Sequence, residues 1–211
     1  LQQFIKDFKR FKPEHVLAYA QSMEELCKFL EAKKISLPQV DSIITSAELL
    51  TDERRAYIEN IMQAPVFNRY GARETSMIAS ECEYHTMHVH DEGIYVEFLR
   101  EDGTHCDYGE EGEIVVTDLL NYAFPLIRYR IGDMGMLLEN TCPCGRGLSV
   151  MKITSGRTSD FIITPNGRKV SGAAITAYVC TKIDGLHRVQ FYQKEKDKVI
   201  VKLLPNNQFN R

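Results

Sequence analysis

Four short stretches carry residue types that do chemistry. Thr141-Cys142-Pro143-Cys144-Gly145-Arg146-Gly147 sets two cysteines with one residue between them on a turn rich in Pro and Gly. A Cys-x-Cys pair on a turn points both sulfurs the same way, which suits a soft tetrahedral ion such as Zn²⁺. The same residues also read as free thiols. Asn68-Arg69-Tyr70-Gly71-Ala72-Arg73-Glu74 places an aromatic and a glycine at the end of a strand-like run. There the backbone can approach a planar ligand, and Glu74 offers the hard oxygen that Mg²⁺ prefers. Ile114–Thr117 with Asp118 precedes Pro125 to Gly135, where Asp133 stands in a glycine-flanked turn. A carboxylate so placed accepts both hydroxyls of a ribose. Gly156-Arg157-Thr158-Ser159-Asp160 offers in Arg157 a forked donor for a phosphate or ribose. Taken singly, the last three stretches also fit ordinary turns and a linker with a solvated cation, and spacing alone favours that plainer reading.

The rest of the chain must position these groups. It has 211 residues, 26 basic and 29 acidic, for a net charge of −3. With 44% hydrophobic and 26% charged residues it can bury one full core or two modest ones. The near balance of charge argues against a broad nucleic-acid or membrane-surface footprint. No apolar run reaches the length of a bilayer span. Lys6, Asp7, Lys9, Arg10 and Lys12 interrupt the first apolar residues, so there is no cleavable signal pattern. The six cysteines, Cys27, Cys82, Cys106, Cys142, Cys144 and Cys180, are sparse for a disulfide scaffold and predict a reducing, cytoplasmic setting. Cys27 and Cys180 lie in apolar helical patterns and read as small buried hydrophobes. The chain starts at Leu1 and stops at Arg211 after a strand-like run, which predicts a piece of something larger.

Periodicity predicts the elements. Residues 1–34 read as helical, with Phe4, Ile5, Phe8 and Phe11 on one face and a break at Pro13. Ser22 and Glu25 read as a capping box ahead of Leu26, Phe29 and Leu30. Val40–Thr45 reads as a buried strand. Thr51 caps a helix to about Met62, with Arg55 and Glu59 as an i,i+4 pair, and Pro65–Arg69 is a second strand. Strand–helix–strand predicts a βαβ layer on a parallel sheet. After residue 76 the pattern turns antiparallel: His85–His90, Gly93–Leu99, Gly112–Thr117, Pro125–Tyr129, Met134–Leu138 and Met151–Thr154 read as short strands. Asp102-Gly103 and Glu111-Gly112 read as turns between them. Then come a strand Asp160–Thr164, a turn at Pro165-Asn166-Gly167, a helix over about 171–183, and strands Arg188–Gln193 and Lys198–Leu204.

The order of these motifs resembles the adenylate-forming superfamily of acyl- and aryl-coenzyme A ligases, and within it the phenylacetate–coenzyme A ligase/CapK-like branch. The resemblance runs through Ile43-Ile44-Thr45-Ser46-Ala47-Glu48-Leu49-Leu50, Tyr70–Glu74 with Ser80-Glu81-Cys82, Gly112–Leu120, Arg128–Asp133, Cys142–Gly147 and Gly156–Asp160. It implies an α/β and α+β fold in which 1–155 is the back part of an AMP-binding domain. That part comprises a βαβ layer (1–75) and an antiparallel zinc-knuckle subdomain (76–155). A hinge at 156–159 and an incomplete α+β domain at 160–211 would follow. The implied reaction joins a carboxylate to AMP, releasing pyrophosphate, then passes the acyl group to coenzyme A. The implied roles put Ser46, Ala47 and Glu48 beside adenine, with Tyr70 stacking on it and Gly71 giving close approach. Glu74 would bind Mg²⁺, Asp133 the ribose hydroxyls, and Arg157 a ribose or phosphate oxygen. Cys82, His88, Cys142 and Cys144 match a structural Zn²⁺ set, with His85, His90 and Cys106 as competing ligands. Tyr70, Ala72, Met77 and Ile78 either line the acid pocket or simply pack the subdomain.

The sequence departs from the family pattern in three ways. Arg73 stands where a hydroxyl residue usually precedes the Mg²⁺ carboxylate. Ser159 stands at the usual hinge Asp, with Asp160 next to it. The Gly/Ser/Thr-rich phosphate loop and the catalytic Lys of the family lack counterparts in these 211 residues, so the chain by itself is expected to be inactive. The partners implied are a small carboxylate, ATP or AMP with Mg²⁺, and coenzyme A, with no nucleic acid, no membrane span and room for a homodimer. Two alternatives stand beside the ligase: a non-catalytic, zinc-stabilised nucleotide-binding module, and an adenylyl-transferring enzyme of capsule biosynthesis with a non-CoA acceptor.

Overall fold

The computed structural model describes residues 1–155, 161–167, 169–172, 175–176, 179, 182–183, 185–195 and 197–206. The first elements are α1 (Gln2–Phe11), β1 (His15–Tyr19), α2 (Ala20–Lys33), β2 (Ser42–Ser46), α3 (Asp52–Met62) and β3 (Val66–Ala72). They are followed by β4 (Ser76–Glu81), β5 (Met87–Val89), β6 (Ile94–Leu99), β7 (Gly112–Asp118), β8 (Tyr129–Leu138) and β9 (Val150–Ser155). Then come β10 (Phe161–Ile163), β11 (Lys169–Ser171), β12 (Leu186–Glu195) and β13 (Lys198–Pro205). Two compact units result. One holds residues 1–96, 116–129 and 137–152, the other 97–115, 130–136 and 153–211.

In the first unit β1, β2 and β3 pair in parallel, with Ile43 opposite both Val16 and Val66. β3 then pairs antiparallel with β4, β4 with β5, and β5 with β9 through His88 and Val150. Helices and strands together supply one apolar cluster, in which Met23, Ile43, Ile58 and Val66 are almost wholly removed from water. Thr51 caps α3 as its sequence predicts, its Oγ accepting from the Arg54 amide at 3.2 Å.

Several expectations are corrected. Residues 1–34 are not all helical: His15–Tyr19 is a strand, because pairing with β2 overrides a local pattern that runs on into α2. α2 starts at Ala20, so Ser22 lies inside it and caps nothing. Glu48 Oε2 instead accepts from the Gln21 amide at 2.6 Å. Arg55 and Glu59 do not pair. Arg55 reaches Glu81 at 2.6 Å, and Glu59 accepts from the Val66 amide. Residues 125–127 form no strand, and the two strands expected over 125–138 are the single β8.

β7 lies between β8 and β6, and the second unit holds residues 97–99, 112–115 and 130–136 of these strands. Gly112 opens β7 rather than making a turn. A Cβ there would meet Cys106 Sγ at 2.4 Å and the Leu99 oxygen at 2.8 Å, so only glycine lets the segments close. Arg100 organises the loop before it, donating to Glu110 and Asp107. β10 and β11 form a hairpin across the predicted Pro165–Gly167 turn, and β12 pairs with β13. Gln193 ties them, its side chain accepting from and donating to the Ile163 backbone at 2.7 Å each. Residues 156–159, Asp160 and much of the predicted 171–183 helix lie outside the described residues.

Candidate functional site

Ser46, Ala47 and Glu48 stand at the carboxyl end of β2, and the next parallel strand carries Tyr70. Ala47 adopts φ 66°, uncommon for a residue with a side chain. Its loop is clamped on both sides. Glu48 caps α2, and Arg54 donates to the Leu49 oxygen and to Glu24, each at 2.6 Å. With the Glu48 carboxylate so engaged, Ala47 and Leu49 are the exposed residues of the loop. Tyr70 is buried, at 9% exposure for the whole residue. At Tyr70/Gly71 the β3–β4 register shifts, and a Cβ on Gly71 would sit 2.1 Å from the Ser76 oxygen. Glycine is therefore obligatory there. Glu74 is exposed in the turn between β3 and β4. Ile78 is fully buried and belongs to the packing, whereas Met77 is open to solvent.

Asp133 lies in the second unit. It is half-buried within β8, next to Gly132 at φ 87°, and not in the turn its glycines predicted. Arg157 lies outside the described residues.

The cysteine knuckle forms one cluster. Ligand atoms of Cys82, His88, Cys142 and Cys144 all lie within 4.8 Å of one another. Cys82 Sγ is 3.5 Å from Cys142 Sγ, and Cys144 Sγ is 3.3 Å from His88 Nε2. A zinc tetrahedron with Zn–S near 2.3 Å and Zn–N near 2.0 Å has edges of about 3.5–3.8 Å. The free thiols thus stand close to coordination distance and far from a disulfide bond. Three thiolates and one imidazole match Zn²⁺, which needs no other ligand in a closed structural site. His88 Nδ1 is buried with no partner among the described residues. That orphan atom costs about 1–3 kcal/mol, a loss that metal coordination at Nε2 would outweigh.

Electrostatics pull the two knuckle thiols in opposite directions. Desolvation acts to raise the Cys144 thiol. The backbone and side chain of Arg146, with Cys142 and Cys82, nevertheless hold it down at about 6. Desolvation pushes Cys142 up. Arg146 also donates to Glu83 at 2.6 Å. Of the competing ligands, His90 engages Ser80 and His85 engages Arg55, while Cys106 turns to the Glu111 oxygen in the second unit.

Two groups of residues were not foreseen. Asn140 binds the knuckle loop, donating to the Arg146 and Leu148 oxygens at 2.8 Å and accepting from the Cys142 amide. An Asn two residues before a turn is the signal that marks it. The Arg55–Glu81 pair has no local signal at all. A groove of about 890 Å³ lined by α1, β1 and α2 contains none of the expected site residues. Among the described residues no helix is long and apolar enough to cross a membrane.

No family model matches the chain. Protein CapK of Staphylococcus aureus is 26% identical over 213 residues, 98% of this chain and 45% of CapK. Phenylacetate-coenzyme A ligase of Thermus thermophilus is 30% identical over 163 residues, 72% of this chain and 36% of the relative. The Escherichia coli enzyme of that name is 33% identical over 125 residues, 57% and 28% respectively. The chain thus spans less than half the length of these relatives. The fold matches 2-hydroxyisobutyryl-CoA ligase in a postadenylation state with R3-HIB-AMP, at TM-score 0.80 and 19% identity over 97% of this chain and 46% of the ligase. It also matches the amide bond synthetase McbA of Marinactinospora thermotolerans, at TM-score 0.69 and 15% identity over 100% of this chain and 46% of McbA.

Proposed function

Since the chain belongs to the adenylate-forming superfamily, in the branch of CapK and the phenylacetate–coenzyme A ligases, we propose that it is the adenylate-binding part of an ATP-dependent acid–thiol ligase. The observation that carries this is the placement of Ser46–Glu48 and Tyr70 on adjoining parallel strands at their carboxyl ends, where α/β sheets bind ligands. The clamped loop would border adenine, and Tyr70 would meet its ring. Gly71 lets β3 and β4 close beside Tyr70; by the resemblance, Asp133 would hold the ribose hydroxyls and Arg157 a ribose or phosphate oxygen. Glu74, exposed and acidic, would hold Mg²⁺, which supplies charge neutralisation at the phosphates. Catalysis of this kind is positioning plus electrostatics, so the residues' task is to hold carboxylate and α-phosphate in line. The Cys₃His cluster would hold a structural zinc that pins the knuckle loop to β4 and β5.

Pyrophosphate release by the intact protein, with a panel of aryl and acyl carboxylates and with or without coenzyme A, tests the reading. Release stimulated by at least one acid is expected, and silence across a broad panel sinks it. The 211-residue polypeptide alone is expected to show little turnover, having no glycine-rich loop to cradle the pyrophosphate. Adenylate formation that coenzyme A does not discharge would point instead to another acceptor.

A further inference from the structure

We propose that Arg55 and Glu81 are positioning residues that lock the strand carrying Tyr70 to the turn carrying Cys82. The proposal deepens the nucleotide and metal reading above and rests on it.

The pair is bidentate and largely buried. Arg55 Nη2 meets Glu81 Oε1 at 2.6 Å and Nη1 meets Oε2 at 2.9 Å, with side chains 14% and 8% exposed. Burying two charges brings little net stability, because desolvation offsets most of the attraction. What a fork offers that an apolar pair does not is fixed distance and direction.

Its contacts show what is being fixed. β3 pairs in parallel with β2 as far as Asn68, and antiparallel with β4 from Arg69 onward. At that junction a side chain takes over from the ladder: Glu81 Oε2 accepts from the Asn68 amide at 2.7 Å. Asn68 lies two residues before Tyr70, and Glu81 one residue before Cys82. Arg55 Nη1 also donates to the Val66 oxygen at 2.5 Å, so α3 holds β3 directly. The same nitrogen lies 3.0 Å from His85 Nδ1, and His85 packs on the Phe67 ring at 5.5 Å. His85 closes the turn after Cys82, its amide donating to the Cys82 oxygen at 2.9 Å. One guanidinium thus touches the strand that carries Tyr70 and the turn that aims Cys82.

The test uses the intact, zinc-loaded protein and the variants R55M, E81Q and R55M/E81Q. R55M strands a buried carboxylate and is expected to melt well below the parent. R55M/E81Q removes both charges but keeps an acceptor for Asn68, so most of that loss should return. Positioning should not return with it. Zinc should pass to a competing chelator about tenfold more readily than from the parent, the scale of lost outer-shell support. Amide exchange at Asn68–Tyr70 and at Cys82–Thr86 should be about tenfold faster, as expected for local opening. A double variant that recovers melting, zinc retention and exchange together overturns the proposal, because the pair is then only a filler. A double variant that melts as low as R55M also overturns it, because the pair is then a stability element. If the unmodified protein holds no zinc, the metal reading fails, and exchange at the two segments still decides the role of the pair.

Discussion

The β1–β3 layer and the cysteine knuckle belong to one compact unit but are held by opposite means. The layer closes mainly on apolar side chains, with Met23, Ile43, Ile58 and Val66 almost wholly dry. In the knuckle, Cys82 and His88 are buried while Cys142 and Cys144 are half-open, and the residues converge through sulfur and nitrogen rather than hydrocarbon. Burial works in any solvent condition that keeps water out. A donor cluster works only when something satisfies the donors. The first region should therefore be robust and the second conditional.

The largest effect should come from emptying the donor set. C144S, or prolonged chelation, is expected to remove about one zinc per chain. Structural zinc sites contribute on the order of 10 kcal/mol in small domains, far above any single side chain. Native mass spectrometry should show the loss. Amide exchange should rise sharply over 82–90 and 140–150 and stay slow in α2, α3 and β2. Near-stoichiometric zinc that is absent from protein purified without chelator would remove the basis of the comparison.

The converse break is smaller. Ile58 in α3 is completely buried, and I58A should cost about 2–5 kcal/mol in urea unfolding of the layer. Zinc content in the folded state should not change. If I58A releases the metal under native conditions, the two regions are one cooperative body and the contrast fails.

The contrast also explains what was legible in the sequence. Cys142 and Cys144 are two residues apart, and a turn's chemistry is written locally. Thr51 as a cap and Val40–Thr45 as a strand are local in the same sense. His15–Tyr19 was hidden because a five-residue strand takes its identity from β2, far along the chain. Arg55 was assigned to Glu59 because helix spacing is visible, while Glu81 becomes its neighbour only after β3 and β4 pair. Gly112 looked like a turn residue because close approach to Cys106 and Leu99 leaves no mark on nearby residues. Asp133 shows the same limit. Flanking glycines signal a bend, but cannot say whether it sits between strands or inside one.

The smallest effect is a titration, and it probes the dry region alone. Burial, helped by Glu24 and Glu31, pushes the Cys27 thiol from its ordinary 9.0 up to about 12. Burial and its hydrogen bond to Glu31 push Tyr57 from 10.0 up to about 12. Both groups hold their proton longer in the folded chain than in the unfolded one. The stability they carry is therefore complete below pH 9 and drains away between about pH 9 and 12 for Cys27, and between 10 and 12 for Tyr57. One such proton changes stability by at most about 1.4 kcal/mol per pH unit. C27A keeps a small apolar group at the site and removes one proton, so its stability should fall less steeply from pH 9 to 11 than the parent's. Urea unfolding at half-unit pH steps measures both slopes. The difference should persist when chelator is present, because α2 carries Cys27 and the knuckle does not. Equal slopes would mean that the Cys27 thiol ionises as freely in the fold as outside it, and that the layer is wetter than its packing implies.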